Sequence, residues 1–157
     1  MTNDNAMQDA LQRLYDSTIA FHDTFQTPRD YEARVRVLCE ECGELVRATY
    51  PQDIAEEAAD VIVTTFGVMQ SLGINFCDGY YPSSFLHGVT KVWDLVRYIQ
   101  EYPRFPNPKR YTGVVYDIIV ECAALSNVEA INTVIERNER KTIKTHMLNK
   151  HGKVVER

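Results

Sequence analysis

The segment LCEECGELVRATYPQDIAEEAADVIV holds the residues best suited to chemistry. Glu41 and Glu44 stand three residues apart, and Glu57 and Asp60 repeat that spacing after an intervening 12 residues. On a helix, residues three apart share a face, so each pair projects from one side of its own helix. Pro51 marks a short turn between the two helices, which makes them antiparallel neighbours able to bring four carboxylates together. Hard oxygen ligands in this number suit Mg²⁺, with Mn²⁺ as a substitute.

The rival reading is a solvated acidic face paired with local arginines. On the first of the two helices Arg36 can reach Glu40, and Arg47 can reach Glu44. The second helix has no such help, because no lysine or arginine occurs from Ala48 through Thr90. Asp60 is moreover embedded in AADVIV. Two like charges at about 4 Å cost roughly 1 kcal/mol in water and about 4 near a protein surface. A cation between the acids relieves that strain. The pattern argues against a di-iron carboxylate bundle, since those sites want Glu-x-x-His pairs and none of the four histidines follows a glutamate by three.

The elements that must position these acids are helices. Strand patterns are almost absent, while apolar residues recur at steps of three and four in six segments. The first helix spans about 5–24, with Met7, Leu11, Leu14, Thr18, Phe21 and Phe25 on its inner face. Thr27 and Pro28 open a second that runs to about Thr49, and Asp53 with Glu56 form a capping box for a third that Gly73 stops. Ser83 or Ser84 starts a fourth, through Gln100, followed by the proline-rich connection EYPRFPNPKR. A fifth covers 111–125, and Ser126 with Glu129 opens a sixth reaching about Thr145. The basic tail LNKHGKVVER reads as an irregular arm, and Trp93 as a core residue. The expected fold is all-α: one domain over 1–157, an antiparallel bundle of about six helices.

An internal repeat is suggested by ELVR at 44–47 against DLVR at 94–97, and DVIV at 60–63 against DIIV at 117–120. The matches fall in the same helix order. The second copy, 83–126, is degenerate: Lys91 replaces Glu41 and Val114 replaces Glu57.

Bulk properties agree with a globular chain, 45% hydrophobic and 25% charged, with a net charge of −5 that argues against a nucleic-acid scaffold. No apolar run approaches the roughly 20 residues of a membrane span, and the N-terminus has no signal-peptide character. A cytoplasmic location without membrane partners is expected. Of Cys39, Cys42, Cys77 and Cys122, the first two form a lone CxxC inside a helical pattern and read as packed thiols.

The ExxE–x12–ExxD pattern resembles the signature of the MazG-like all-α NTP pyrophosphohydrolases, a superfamily that includes phosphoribosyl-ATP pyrophosphohydrolases and dimeric dUTPases. Glu40 matches the EExxE form, Asn138 and Lys141 resemble the Asn-x-x-Lys element, and HGKVVE resembles a GKV tail of phage-type members. The likeness covers about 20–73 and 127–155. The fused, degenerate second half resembles tandem members of the superfamily.

The resemblance implies Mg²⁺-dependent cleavage between the α and β phosphates of a nucleoside triphosphate, giving a monophosphate and pyrophosphate. Glu41, Glu44, Glu57 and Asp60 would hold the metal, and Glu40 or Glu41 would be the general base. Asn138 and Lys141 would bind phosphate, with Arg137, Arg140 and Lys144 nearby. The active helix pair would be 28–73, and 127–157 the phosphate-binding helix and tail. By analogy Phe21, His22 and Phe25 would form the base pocket. A homodimer or larger assembly is expected, because such helical units rarely bury their apolar faces alone. Two rivals remain open: a nucleotide-binding regulator without turnover, and a structural helical interaction protein whose acids are surface decoration.

Overall fold

The computed structural model describes residues 3–76, 88–101 and 108–157. It contains six helices and one small hairpin: α1 (Asn3–Phe25), α2 (Tyr31–Arg47), α3 (Pro51–Ser71), α4 (Val89–Glu101), α5 (Pro108–Leu125), α6 (Val128–Glu139), β1 (His146–Leu148) and β2 (Val154–Glu156). The fold is an all-α helical bundle, as the periodicity predicts.

Helix α3 is the central element. Ala58, Ala59, Val61, Ile62, Phe66, Val68 and Met69 are all buried, so it is apolar on most sides and must be enclosed. It packs most extensively on α2 and α5, and also on α6 and α1. Helix α1 presents Leu11, Leu14, Thr18, His22 and Phe25 inward at steps of three and four. The Thr18 hydroxyl donates to the Leu14 carbonyl at 2.7 Å, so this polar residue enters the core with its donor used. The helices related by the sequence repeat are neighbours: α2 packs on α4, and α3 on α5.

Several boundaries differ from the expected ones. Helix α2 begins at Tyr31, not Pro28, because the Asp30 carboxylate accepts from the Ala33 amide and takes the N-cap. Helix α3 begins at Pro51, in the first turn where a missing N–H costs nothing, so the Asp53 capping box does not form. Its end is as expected. Gly73 (φ 69°) donates to the Gln70 carbonyl and Ile74 to that of Met69. The cap of α6 is Asn127, which accepts from the Ala130 amide, while the Ser126 hydroxyl donates to the Ala55 carbonyl of α3. Pro108 to Arg110, expected in a connection, belong to α5. The expected helix start at Ser83 or Ser84, Cys77, and the connection at 102–107 lie outside the described residues.

Two corrections matter for the site. Helix α6 stops at Glu139, so Asn138 sits in its last turn and Lys141 lies beyond it. The tail is not irregular: β1 and β2 pair antiparallel, with His146 opposite Glu156. The turn between them is built on Asn149, whose side chain accepts from the amides of His151 and Lys153. Trp93 is not core either, being 39% exposed on α4. Among the described residues no single helix is long and apolar enough to cross a membrane.

Gly152 ties the hairpin to the bundle. Its φ of 81° favours glycine, and a Cβ there would lie 2.9 Å from the Pro28 ring. Gly152→Ala is therefore expected to lower stability by about 1–3 kcal/mol in urea denaturation. An unchanged midpoint would show that the hairpin does not dock on the link between α1 and α2.

Candidate metal and nucleotide site

The predicted acids come from the facing stripes of α2 and α3. Oxygens of Glu41, Glu44 and Glu57 lie within 4.8 Å of one another. Glu41 is buried, whereas Glu44 and Glu57 are half-buried. One Glu57 carboxylate oxygen, Oε2, is buried without any hydrogen-bond partner. A carboxylate oxygen sealed from water and left unpaired costs about 1–3 kcal/mol or more, and a cation beside it removes that cost. Donor type, convergence and the orphaned oxygen all fit a hard divalent ion. Burial first, then the charges of Asp60, Glu44 and Glu41, push the Glu57 carboxyl up to about 7.

Asp60 is placed differently from its three partners. The Arg137 Nη2 lies 2.6 Å from one of its oxygens and 2.5 Å from the other. Arg137, expected as a phosphate group in reserve, is thus a counter-ion of α3. The absence of cations near α3 in the chain is real, but α6 supplies one across space. Burial still raises the Asp60 carboxyl, outweighing the nearby Arg137. The expected local pairs on α2 do not form as drawn either, since Arg36 meets Glu32 at 3.7 Å rather than Glu40.

The principal cation at the cluster is Lys153, to which the sequence reading gave no role. Its Nζ lies 2.7 Å from Glu41, 3.3 Å from Glu44 and 3.8 Å from Glu40. Burial opposes its charge, but the hydrogen bond and charge of Glu41, then those of Glu44, hold its ammonium protonated above the ordinary lysine range. The sequence signal was the Gly-Lys pair three residues after Asn149, a turn that aims Lys153 back at α2.

A cleft adjoins the cluster, and its lining includes Glu41, Asp60, Asn138, Lys141 and Lys153 together with Phe21, His22, Thr27, Arg34, Val37 and Val63. Lys141 donates to the Asn138 side chain at 3.0 Å and lies 5.6 Å from the centre of the Phe21 ring. Phe25 packs beneath Phe21 at 4.9 Å between centroids and does not line this cleft. Lys144 and Arg140 are exposed, and neither lines it. Glu40, 43% exposed, stands at the rim while Glu41 faces inward.

The lining includes an unusual cation. Arg34 is 5% exposed, its Nε is buried without a partner, and one Nη donates to the Thr27 hydroxyl. Among the described residues no carboxylate forms an ion pair with it; Asp30, whose charge bears on it most, is occupied in the helix cap. Gly67 of α3 makes the space, since a Cβ there would lie 3.1 Å from Arg34 Cδ and 3.2 Å from His22 Cε1. His22 donates from Nδ1 to the Gln70 side-chain oxygen at 2.5 Å, and burial followed by Arg34 lowers its pKa to about 4, so the ring is neutral.

The segment suggested as a second copy does not carry the acid cluster. Lys91 stands where α2 has Glu41, and its charge opposes the burial that raises Asp117, the counterpart of Asp60. Cys42 and Cys122 are packed in the core and Cys39 is half-buried; burial pushes the Cys42 thiol up to about 12. These are inert thiols.

No family model, curated protein or solved structure matches the chain.

Glu57 titrates near 7 in the fold and near 4.5 when unfolded. Between those values the folded state binds more protons, so stability falls as pH rises. The melting temperature of metal-free protein is expected to decline over this window. Saturating Mg²⁺ should flatten or reverse the slope, because it binds the ionised carboxylates. Identical profiles with Mg²⁺ and with a chelator would remove metal from the cluster.

Proposed function

We propose that the chain is a Mg²⁺-dependent nucleoside triphosphate pyrophosphohydrolase. The observation that carries this is the orphaned Glu57 oxygen beside the carboxylates of Glu41 and Glu44, adjoining a cleft that also presents Lys141 and Lys153. A triphosphate brings about four negative charges, and carboxylates alone would repel it. The divalent ion, once bound, offsets charge on the phosphates and makes water a better nucleophile.

The chain's own groups complete the reaction. Lys141, held by Asn138, and Lys153, reaching from the hairpin, meet the phosphate oxygens. Water attacks the α-phosphorus, and the bond from that phosphorus to the bridging oxygen breaks. Pyrophosphate leaves with the bond's electrons, and the water's proton passes to a glutamate carboxylate. Glu41 faces the cleft and Glu40 stands at its rim, which favours Glu41 for contact with the reacting water. Arg137 keeps Asp60 oriented at the edge of the cluster.

A second reading has a specific observation in its favour. Lys153 pairs with Glu41 and Glu44 and Arg137 with Asp60, so the cluster also suits a purely structural ion-pair network or a nucleotide-binding regulator without turnover. Incubation with Mg²⁺ and a nucleotide panel separates the three. Nucleoside monophosphate plus pyrophosphate is the expected outcome; diphosphate plus orthophosphate would contradict the bond assigned. Binding without turnover would indicate the regulator, and neither would leave the structural network.

Glu57→Gln should leave the circular dichroism intact and lower turnover at least about 100-fold, the size of losing several kcal/mol of metal-borne stabilisation. Wild-type turnover in that variant would refute the metal role. Lys141→Ala should mainly raise KM, by about tenfold for one charged contact; unchanged KM and kcat would remove Lys141 from the site.

A further inference from the structure

We propose that Arg34 reads the nucleobase, selecting a base with an exocyclic carbonyl at its recognised edge and disfavouring adenine. The inference rests on the triphosphate reading of the same cleft and extends it to substrate class. A guanidinium has only donors. Arg34 is only 5% exposed; one Nη donates to the Thr27 hydroxyl, but Nε has no acceptor and no carboxylate among the described residues pairs with the charge. Leaving a charge in that state is among the costlier things a fold can do. The fold makes room for it nonetheless, with a glycine in the middle of its central helix beneath the Arg34 and His22 side chains.

The position suits a base rather than a phosphate. Arg34, Val37, Glu41 and Glu44 follow one stripe of α2, and seven residues separate Arg34 from Glu41, an axial rise of about 10 Å. That is comparable to the reach of a sugar and one phosphate, so a ligand whose phosphates meet Lys153 beside Glu41 would carry its base to Arg34. Uncharged His22 flanks Arg34 over Gly67, and the same cleft is lined by the apolar side chains of Phe21, Val37 and Val63. Flat apolar faces with one polar edge are what a planar heterocycle needs. Guanine, cytosine, uracil and thymine present a carbonyl oxygen to such a donor. Adenine sets an amino group beside its ring acceptors, and that group meets the guanidinium donor to donor.

The test is equilibrium binding of α,β-methylene triphosphate analogues carrying guanine, cytosine, uracil or adenine, with Mg²⁺ present, to the wild type, Arg34→Gln and Arg34→Met. The wild type should bind at least one carbonyl-bearing analogue about tenfold or more tighter than the adenine analogue. Both variants should lose that preference while their affinity for the adenine analogue changes little. Arg34→Gln keeps a polar side chain that both donates and accepts, and serves if Arg34→Met fails to fold. A wild type without base preference, one preferring adenine, or a preference surviving in Arg34→Gln or Arg34→Met would overturn the assignment of Arg34 and leave the triphosphate reading standing. No binding of any analogue to the wild type would defeat the triphosphate reading itself.

Discussion

Carboxylates crowded where two helices pack must be neutralised, and much of this fold can be understood from that requirement. The facing stripes of α2 and α3 bring Glu41, Glu44 and Glu57 within one ion's reach, with Asp60 alongside. Helix α3 can offer no relief, because it is enclosed by apolar residues and carries no cation of its own. Neutralising charge therefore comes from the far end of the chain. Arg137 on α6 meets Asp60, and Lys153 on the hairpin meets Glu41 and Glu44. The Asn149 turn, Gly152 and the contact with Pro28 exist in a geometry that delivers Lys153 to that point. What remains unmet is the Glu57 oxygen, and there the argument for a divalent ion is strongest.

The same helix that carries the acids carries the opposite problem two turns earlier. Arg34 is as deeply buried as Glu41, yet it has no acidic partner at ion-pair distance among the described residues. Helix α2 thus presents to one cleft a cation without an ion pair and, two turns on, clustered anions. A ligand that is acceptor-rich at one end and needs a cation at its other end satisfies both, which is the physical form of a nucleotide with its metal.

The helices were legible because they are amphipathic, and the carboxylates because spacings of three fix a common face. Gly73 was legible as a stop for the same local reason. The helix starts were less so: Thr27 and Ser126 are both good caps by type, but Thr27 accepts from Arg34 and Ser126 donates to Ala55, leaving the caps to Asp30 and Asn127. Arg137 and Lys153 lie 77 and 109 residues from the acids they meet, so no periodicity could pair them. Arg34 did leave a trace, as a charge on the apolar stripe that includes Leu38, Cys42 and Leu45. Trp93 was misplaced because a tryptophan on an amphipathic helix is usually covered, and this one is not.

The central claim is that Glu41, Glu44 and Glu57 grip one divalent ion in competition with the Lys153 ammonium. Electron paramagnetic resonance of Mn²⁺ titrated into the metal-free protein at neutral pH tests it directly. Saturable Mn²⁺ binding, displaced by Mg²⁺, tightened in Lys153→Met and abolished in Glu41→Gln, is the predicted result. Weak binding that never saturates, or that is indifferent to Glu41, would contradict the account.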